Sequence, residues 1–314
     1  METSIKESPR VLRSFFISLS RNKGLRQFSE RSSLGRKLSS RFVAGMSVEE
    51  ALEAAAAVNR EGIAVSLDSL GESVTGEAQA QASAAIYHRL LDQIAVRGLN
   101  ANVSVKLTQM GMEFDPLLAE KIVADMVRHA DEANTFVRID MEGSEYTEAT
   151  VAMTERLHQA YPGRVGTVLQ AYLFRTMEDA KRLVGQGVRI RLCKGAYKEP
   201  ASVAFPLKAD VDRNYVEIML YLARSGVFCG MATHDEAIVD RMRDEVARGN
   251  VDKAAFEFQM LYGVRRDLQR KLAAEGFGVR VYIPFGTEWY PYFMRRLAER
   301  PANVLFLAKN FFKS

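Results

Sequence analysis

The segment "FGTEWYPYFMRRLAERPAN", residues 285–303, places Arg295 and Arg296 three and four positions after Tyr292, and residues so spaced are neighbours on a helix. Arg pairs on helices are commonly a solvated face, their stems covering apolar surface. Beside this much aromatic surface, the sharper reading is a site for a small anionic ligand that is partly apolar. Other residues able to do chemistry fall at the ends of short apolar runs: Lys106 in "NVSVKL", Asp140 and Glu142 in "FVRIDME", Gln170 in "GTVLQAYL", Arg191 and Lys194 in "VRIRLCKG", Thr233, His234 and Asp235 in "ATHDE", then Gln259 and Tyr282. A Lys or Arg inside an apolar strand is costly unless paired or wet, which singles out Lys106 and Arg191. "RLCKGAY" (191–197) adds a Lys-Gly pair where a ligand can approach the backbone and exposed N–H groups can meet phosphate oxygens. "ATHDE" could complete a phosphate or ribose site, although a His there serves equally well as a hydrogen-bonded structural residue. His129 and His158 fall on helices without a second ligand at metal spacing, so no zinc site is expected, and no nucleophile elbow is present. Cys193 and Cys229 lie inside strand-like runs and read as small buried hydrophobes in a reducing compartment.

These residues need a scaffold that gathers strand ends. Eight apolar, β-rich runs follow one another: residues 63–70, 102–107, 136–142, 166–173, 188–195, 227–234, 254–261 and 279–286. Between them lie helical patterns such as "PLLAEKIVADMVRHADEA" and "TMEDAKRLVGQG". Eight such units predict a (β/α)8 barrel, in which functional groups collect at the C-terminal ends of the strands. An open doubly wound sheet is disfavoured because no G-x-G-x-x-G follows the first strand. The 314 residues, 47% hydrophobic, suffice for a barrel of about 250 residues with additional helices. No apolar stretch reaches the roughly 18 residues of a membrane span, and the apolar run near the N-terminus is short for a signal peptide, so a cytoplasmic protein is expected. Net charge is uneven: residues 1–45 hold ten Lys or Arg against three Glu, +7, which leaves −3 for the rest of a chain whose total is +4. Residues 1–45 therefore read as a basic helical extension and 46–314 as the barrel domain. The extension suits a solvated face, or a peripheral contact with an anionic membrane surface or a nucleic acid.

Taken in order, "SVKL", "RIDMEGS", "QAYLFR", "RLCKGAY", "ATHDE", "FEFQMLYGVR" and "YIPFGTEWYPYFMRRLAERPAN" resemble the flavin-dependent proline dehydrogenases, from about residue 60 to the C-terminus. The resemblance implies a (β/α)8 barrel that holds FAD at the strand C-termini and oxidises L-proline to Δ1-pyrroline-5-carboxylate. By that resemblance Arg295 and Arg296 bind the proline carboxylate, to which a planar guanidinium fork is suited. Lys106 adds a third positive charge, Tyr282, Tyr292 and Leu192 pack on the ring, and Tyr197 helps close the pocket. Gln170 would meet the pyrimidine edge of the flavin and Arg191 its N5 region, where a cation stabilises developing negative charge. Met141 matches an FAD-contacting position. Lys194, Gly195, Ala196, Thr233 and His234 match the positions that hold the ribityl-pyrophosphate portion. Asp140 matches the catalytic carboxylate, acting on a proton or orienting the cations around it. Glu72, after the first strand, matches an acid that gates the site by pairing with an Arg of the fork.

The implied chemistry is hydride transfer from proline Cδ to flavin N5, with electrons passed to a membrane quinone and the product released to a separate pyrroline-5-carboxylate dehydrogenase. No metal and no nucleic-acid partner are implied. A departure from the family pattern is Cys193, where Val is common. The competing enzymatic reading is a Schiff-base aldolase that uses Lys106, since such barrels also keep a lysine at a strand end.

Overall fold

In the computed structural model the chain is described over residues 39–71 and 74–299, with side chains as far as Met294. Expectations that concern residues 1–38, Glu72, and the side chains of Arg295 and Arg296 lie outside the described residues. Helix α1 (Val48–Asn59) opens on a capping box. The Ser47 hydroxyl accepts from the Glu50 N–H at 3.2 Å while the Glu50 carboxylate accepts from the Ser47 N–H at 3.0 Å, satisfying two donors that a helix start otherwise leaves open.

Eight parallel strands then close on themselves, each paired with the next and the last with the first. They are β1 (Ala64–Ser69), β2 (Ala101–Val105), β3 (Val137–Ile139), β4 (Val165–Gln170), β5 (Arg189–Cys193), β6 (Cys229–Ala232), β7 (Phe256–Leu261) and β8 (Gly278–Phe285). The connecting helices are α2 (Glu77–Val96), α3 (Pro116–Glu132), α4 (Thr147–Ala160), α5 (Thr176–Val184), α6 (Lys208–Ala223), α7 (Glu236–Ala247) and α8 (Arg266–Ala274), with α9 (Trp289–Glu299) after the last strand. The (β/α)8 expectation is met at all eight strands. Most strands end before the run that predicted them, because Lys106, Asp140, Lys194 and Thr233 leave the ladder at the rim and start the loops.

Successive residues of a strand point to opposite faces, and here the alternation separates chemistry from packing. Outward positions such as Leu67, Val103, Ile139, Leu169, Leu192, Phe258 and Ile283 belong to the apolar core between sheet and helices. On α3 the matching apolar face is Ile122, Val123, Met126, Val127 and Ala130. Apart from Val168 and Leu261, most inward positions are polar or minimal: Ser66, Asp68, Ser104, Arg138, Gly166, Arg191, Gly230, Glu257, Gln259, Arg280. An ordinary barrel fills this space with branched apolar side chains.

A second apolar cluster caps the β1/β8 side of the rim. Phe42 and Val43 pack there with Leu70, Val264, Trp289, Tyr290, Tyr292 and Phe293. The Ala44 N–H donates to the Pro284 carbonyl at 2.9 Å, and the Gly286 N–H donates to the Gly45 carbonyl at 3.0 Å. The chain entering the barrel and the helix leaving it are therefore tied together, and α9, which carries Arg295 and Arg296, is anchored beside the mouth.

The interior tolerates no added bulk at Gly166. A Cβ there would lie 2.1 Å from the Arg189 carbonyl oxygen and 2.9 Å from Arg138 Nη1, and the first neighbour is backbone. Gly166→Ala should destabilise the fold by about 1–3 kcal/mol through overpacking. Chemical denaturation monitored by circular dichroism checks this, and an unchanged midpoint would mean that β4 and β5 can separate freely.

Candidate active site

Arg191, Asp140, Tyr282, Lys106, Asp68, Ser66, Ser104 and Gln259 join one hydrogen-bonded circuit inside the barrel. Arg191, on β5 and 6% exposed, donates from Nη1 to Asp140 Oδ1 at 2.9 Å and to Ser104 Oγ at 3.0 Å, from Nη2 to Ser66 Oγ at 3.2 Å, and from Nε to Gln259 Oε1 at 2.5 Å. The Gln259 amide is oriented from both ends, since its Nε2 donates to Glu257 Oε1 at 2.6 Å, an atom that also accepts from Arg280 Nε. On the other side Tyr282 donates its hydroxyl to Asp140 Oδ2 at 2.9 Å. Lys106 Nζ lies 3.5 Å from the same hydroxyl and 4.0 Å from Asp140 Oδ2. Its close partner is Asp68 Oδ1, at 2.8 Å.

Burial alone would pull the Lys106 ammonium down, but the charges of Asp68 and Asp140 outweigh it and hold the group well above the usual lysine range. Burial pushes the Asp68 carboxyl up, with the Lys106 charge opposing it. Burial, reinforced by the Asp140 charge, keeps the Tyr282 phenol protonated far beyond its ordinary value. The site is therefore a preorganised set of fixed cations and donors. Both oxygens of Asp140 already accept hydrogen bonds, an arrangement suited to orienting Arg191 and Tyr282.

The other expected residues lie around this circuit. Gln170 is buried at the end of β4 and donates from Nε2 to the Glu142 carbonyl at 2.7 Å. Met141 is buried in the apolar core. Thr233 is buried, its Oγ accepting from the Asp235 N–H at 3.1 Å. His234 Nε2 accepts from the Leu261 N–H at 2.9 Å, so in the neutral ring the proton sits on Nδ1. Lys194 donates to Asp212 Oδ1 at 2.5 Å and to Asp235 Oδ2 at 2.9 Å. Gly195 has φ +109°, and a Cβ there would meet the Tyr172 ring at 2.4 Å, which is why glycine is required. Ala196 is exposed on the same loop. Cys193 faces inward after Arg191, its thiol pushed up to about 12 by burial. Cys229 is buried on the outward face. Both are free thiols, as expected. Among the described residues no group of His, Cys, Asp or Glu is placed to hold a metal ion.

One expectation needs correction. Leu192, expected on a ligand ring, follows the inward Arg191 and so faces outward, fully buried in the helix-facing core. The leucine in register with Tyr282 is Leu261, which packs beside the cluster containing Tyr292. Tyr197, expected to close the pocket, is 42% exposed on the β5–α6 loop. Tyr292 is buried among the rim aromatics.

Asp68, Ser104 and Leu261 were not singled out as site residues. For Asp68 a signal was available, because a carboxylate in the middle of "IAVSLDSL" is as costly as Lys106 in its own strand.

The family model described as proline dehydrogenase matches residues 51–309. The chain is 38% identical to proline dehydrogenase 1 of Bacillus subtilis (strain 168) over 304 residues, 96% of this chain and 100% of that protein. It is 42% identical to a proline dehydrogenase of Deinococcus radiodurans over 284 residues, 88% of this chain and 90% of the relative. Among solved structures, proline utilization A from Bdellovibrio bacteriovorus inactivated by N-propargylglycine superposes with a TM-score of 0.79 at 24% identity, covering 92% of this chain and 36% of that one. That likeness is one of fold, and the chain spans about a third of the length of that larger protein.

The circuit should carry stability whatever ligand it serves. Replacing Arg191 with Met takes from Asp140 its closest cation and from Gln259 Oε1 its donor, and removal of one partner of a buried pair typically costs about 3–5 kcal/mol. Denaturant unfolding of Arg191→Met should show a loss of that order. A loss below about 1 kcal/mol would show the pair to be dispensable for the fold.

Proposed function

The chain belongs to the proline dehydrogenase family, and on that footing we propose that it oxidises L-proline to Δ1-pyrroline-5-carboxylate with FAD as cofactor and a quinone as the final electron acceptor, the first step of proline catabolism. The observation that carries this reading is the inward circuit of Arg191, Asp140, Tyr282 and Lys106 at the strand C-termini, beside the helix that bears Arg295 and Arg296. Proline is an apolar five-membered ring with a carboxylate, and the mouth offers cations on one side with Tyr282, Leu261 and Tyr292 as an apolar wall.

The residues present suit FAD. Arg191 supplies a buried cation, Gln170 a buried amide whose Oε1 can accept, and the tight Gly195–Tyr172 approach a backbone surface that no other residue type would leave. Lys194 spends two N–H groups on Asp212 and Asp235, which leaves the third of an ammonium's donors for a phosphate oxygen. Ala196, Thr233 and His234 would line the same portion, with Met141 near Asp140. Bound FAD supplies the acceptor for the hydride that leaves proline Cδ. The protein's share is alignment and charge: Lys106, Arg295 and Arg296 hold the carboxylate, Tyr282 and Leu261 fix the ring, and Asp140 keeps Arg191 aimed at the centre where negative charge develops. Glu72 would gate the mouth by pairing with an Arg of the fork.

The Schiff-base alternative needs a neutral lysine. Its ion pair with Asp68 keeps Lys106 protonated, which argues against that chemistry. A quinone acceptor implies a meeting with the membrane. No helix among the described residues is long and apolar enough to cross one, so we propose a cytoplasmic enzyme with peripheral contact through the basic extension. Its product would pass to a separate pyrroline-5-carboxylate dehydrogenase chain.

Anaerobic titration of the FAD-loaded protein with L-proline should bleach the oxidised flavin bands, and persistence of the oxidised spectrum at saturating proline would refute the reading. The fork has its own test. Arg295→Ala and Arg296→Ala should each weaken binding of proline and of a ring carboxylate by at least about tenfold, as loss of one partner in a buried charged hydrogen bond commonly does, while FAD stays bound. Pyrrolidine, which lacks the carboxylate, should bind poorly to wild type and be indifferent to both changes. Equal weakening of all three ligands would make the pair structural.

A further inference from the structure

We propose that Asp68 is a positioning residue for substrate binding: it holds Lys106 charged and oriented as a carboxylate ligand. This rests on the reading of Lys106 as part of the carboxylate site. Asp68 is 1% exposed on the inward face of β1, and its Oδ1 lies 2.8 Å from Lys106 Nζ. No hydrogen-bond partner among the described residues is found for its sealed second oxygen, Oδ2. A carboxylate so placed is expensive to bury, and Lys106 is its one close cation among the described side chains. The groups that face the pair are Asp140 from β3, Tyr282 from β8 and Tyr87 from α2, whose phenol lies 3.5 Å from Asp68 Oδ1 and 3.2 Å from Gln109 Oε1. Tyr87 and Gln109 thus brace Asp68 from the α2 side and from the turn after β2. Arg191 reaches the same group of charges through Asp140.

The electrostatics make the role observable. Burial is the largest influence on Lys106 and acts against its charge, with Asp68 first among the groups that oppose it. Without Asp68 only Asp140, 4.0 Å away, remains as a nearby carboxylate. The lysine should then titrate at a lowered value, and the ammonium that holds a substrate carboxylate should be lost as pH rises through it. In the wild type the ammonium persists throughout.

The probe is cyclopentanecarboxylate, a five-membered ring acid with no amine to titrate, and binding is read from the flavin absorbance of the FAD-loaded enzyme between about pH 7 and 9.5. Wild type should show a constant Kd over that range. Asp68→Asn should bind about tenfold more weakly at pH 7 and progressively worse toward pH 9.5, while Asp68→Glu should restore much of the affinity and flatten the profile. In a Lys106→Met background, Asp68→Asn should change Kd by less than about twofold, because a residue that acts through another has nothing left to act on. A wild-type Kd and flat profile for Asp68→Asn, or the same loss with and without Lys106, would overturn the proposal while the carboxylate site stands. If wild type itself fails to bind the probe although proline still bleaches the flavin, the reading of Lys106 as carboxylate ligand falls, and the role of Asp68 with it. Should Asp68→Asn not fold or load FAD, the Asp68→Glu profile and the doubly substituted protein, which buries no lone charge at this pair, decide the matter.

Discussion

The ion pair between Arg191 and Asp140 is the interaction on which this molecule turns. Neither group could be buried alone, since an isolated charge in a low-dielectric interior costs several kcal/mol even after relaxation. Together they still need their remaining donors and acceptors satisfied. Ser66 and Ser104 are small enough to stand beside the guanidinium, Gln259 caps its Nε, and Tyr282 takes the second oxygen of Asp140. Those four residues come from β1, β2, β7 and β8. One pair therefore dictates side-chain size and polarity around much of the barrel.

The consequence is an inversion of the usual division of labour. The apolar core lies between sheet and helices, where Leu67, Ile139, Leu192 and Phe258 pack, and the lumen is given over to charge. Gly166 and Gly230 make room for it: a Cβ at Gly230 would come within 2.4 Å of Gln259 Nε2. Each charged group at the mouth is fixed by the one beneath it, so a ligand meets an electrostatic surface that need not rearrange, the condition under which such groups are most effective.

Much of this was legible in the sequence, and the remainder was hidden for identifiable reasons. The eight strands announce themselves by short β-rich apolar runs separated by helical periods. Lys106 and Arg191 stand out because a cation in such a run demands an explanation. Asp68 demands one equally, but its partner lies 38 positions away, and which inward residues meet depends on the stagger between neighbouring strands, a property of barrel closure that no local pattern states. The misassignment of Leu192 is of another kind. Strand parity alone turns a residue that follows an inward Arg toward the helices, whereas Leu261, two residues beyond the inward Gln259, shares its face. Family resemblance supplied roles for Arg295, Arg296, Lys194 and Gln170, which their local patterns alone would have left as a generic anion site.

The circuit also bears on how the chain folds. In a barrel filled with branched side chains, a half-barrel buries part of its apolar filling and is partly rewarded for it. Here β1–β4 alone would hold Asp68, Lys106, Arg138 and Asp140 without Arg191, and β5–β8 would hold Arg191, Arg280 and Glu257 without Asp140. Neither half can complete the pairs that cross the lumen, since Arg191 needs Asp140, Ser66 and Ser104 and Arg280 needs Asn102, so that part of the electrostatic reward arrives only when β5 and β8 meet β1, β2 and β3. A chain cut between β4 and β5 would therefore yield two fragments that need each other to satisfy Arg191 and Asp140.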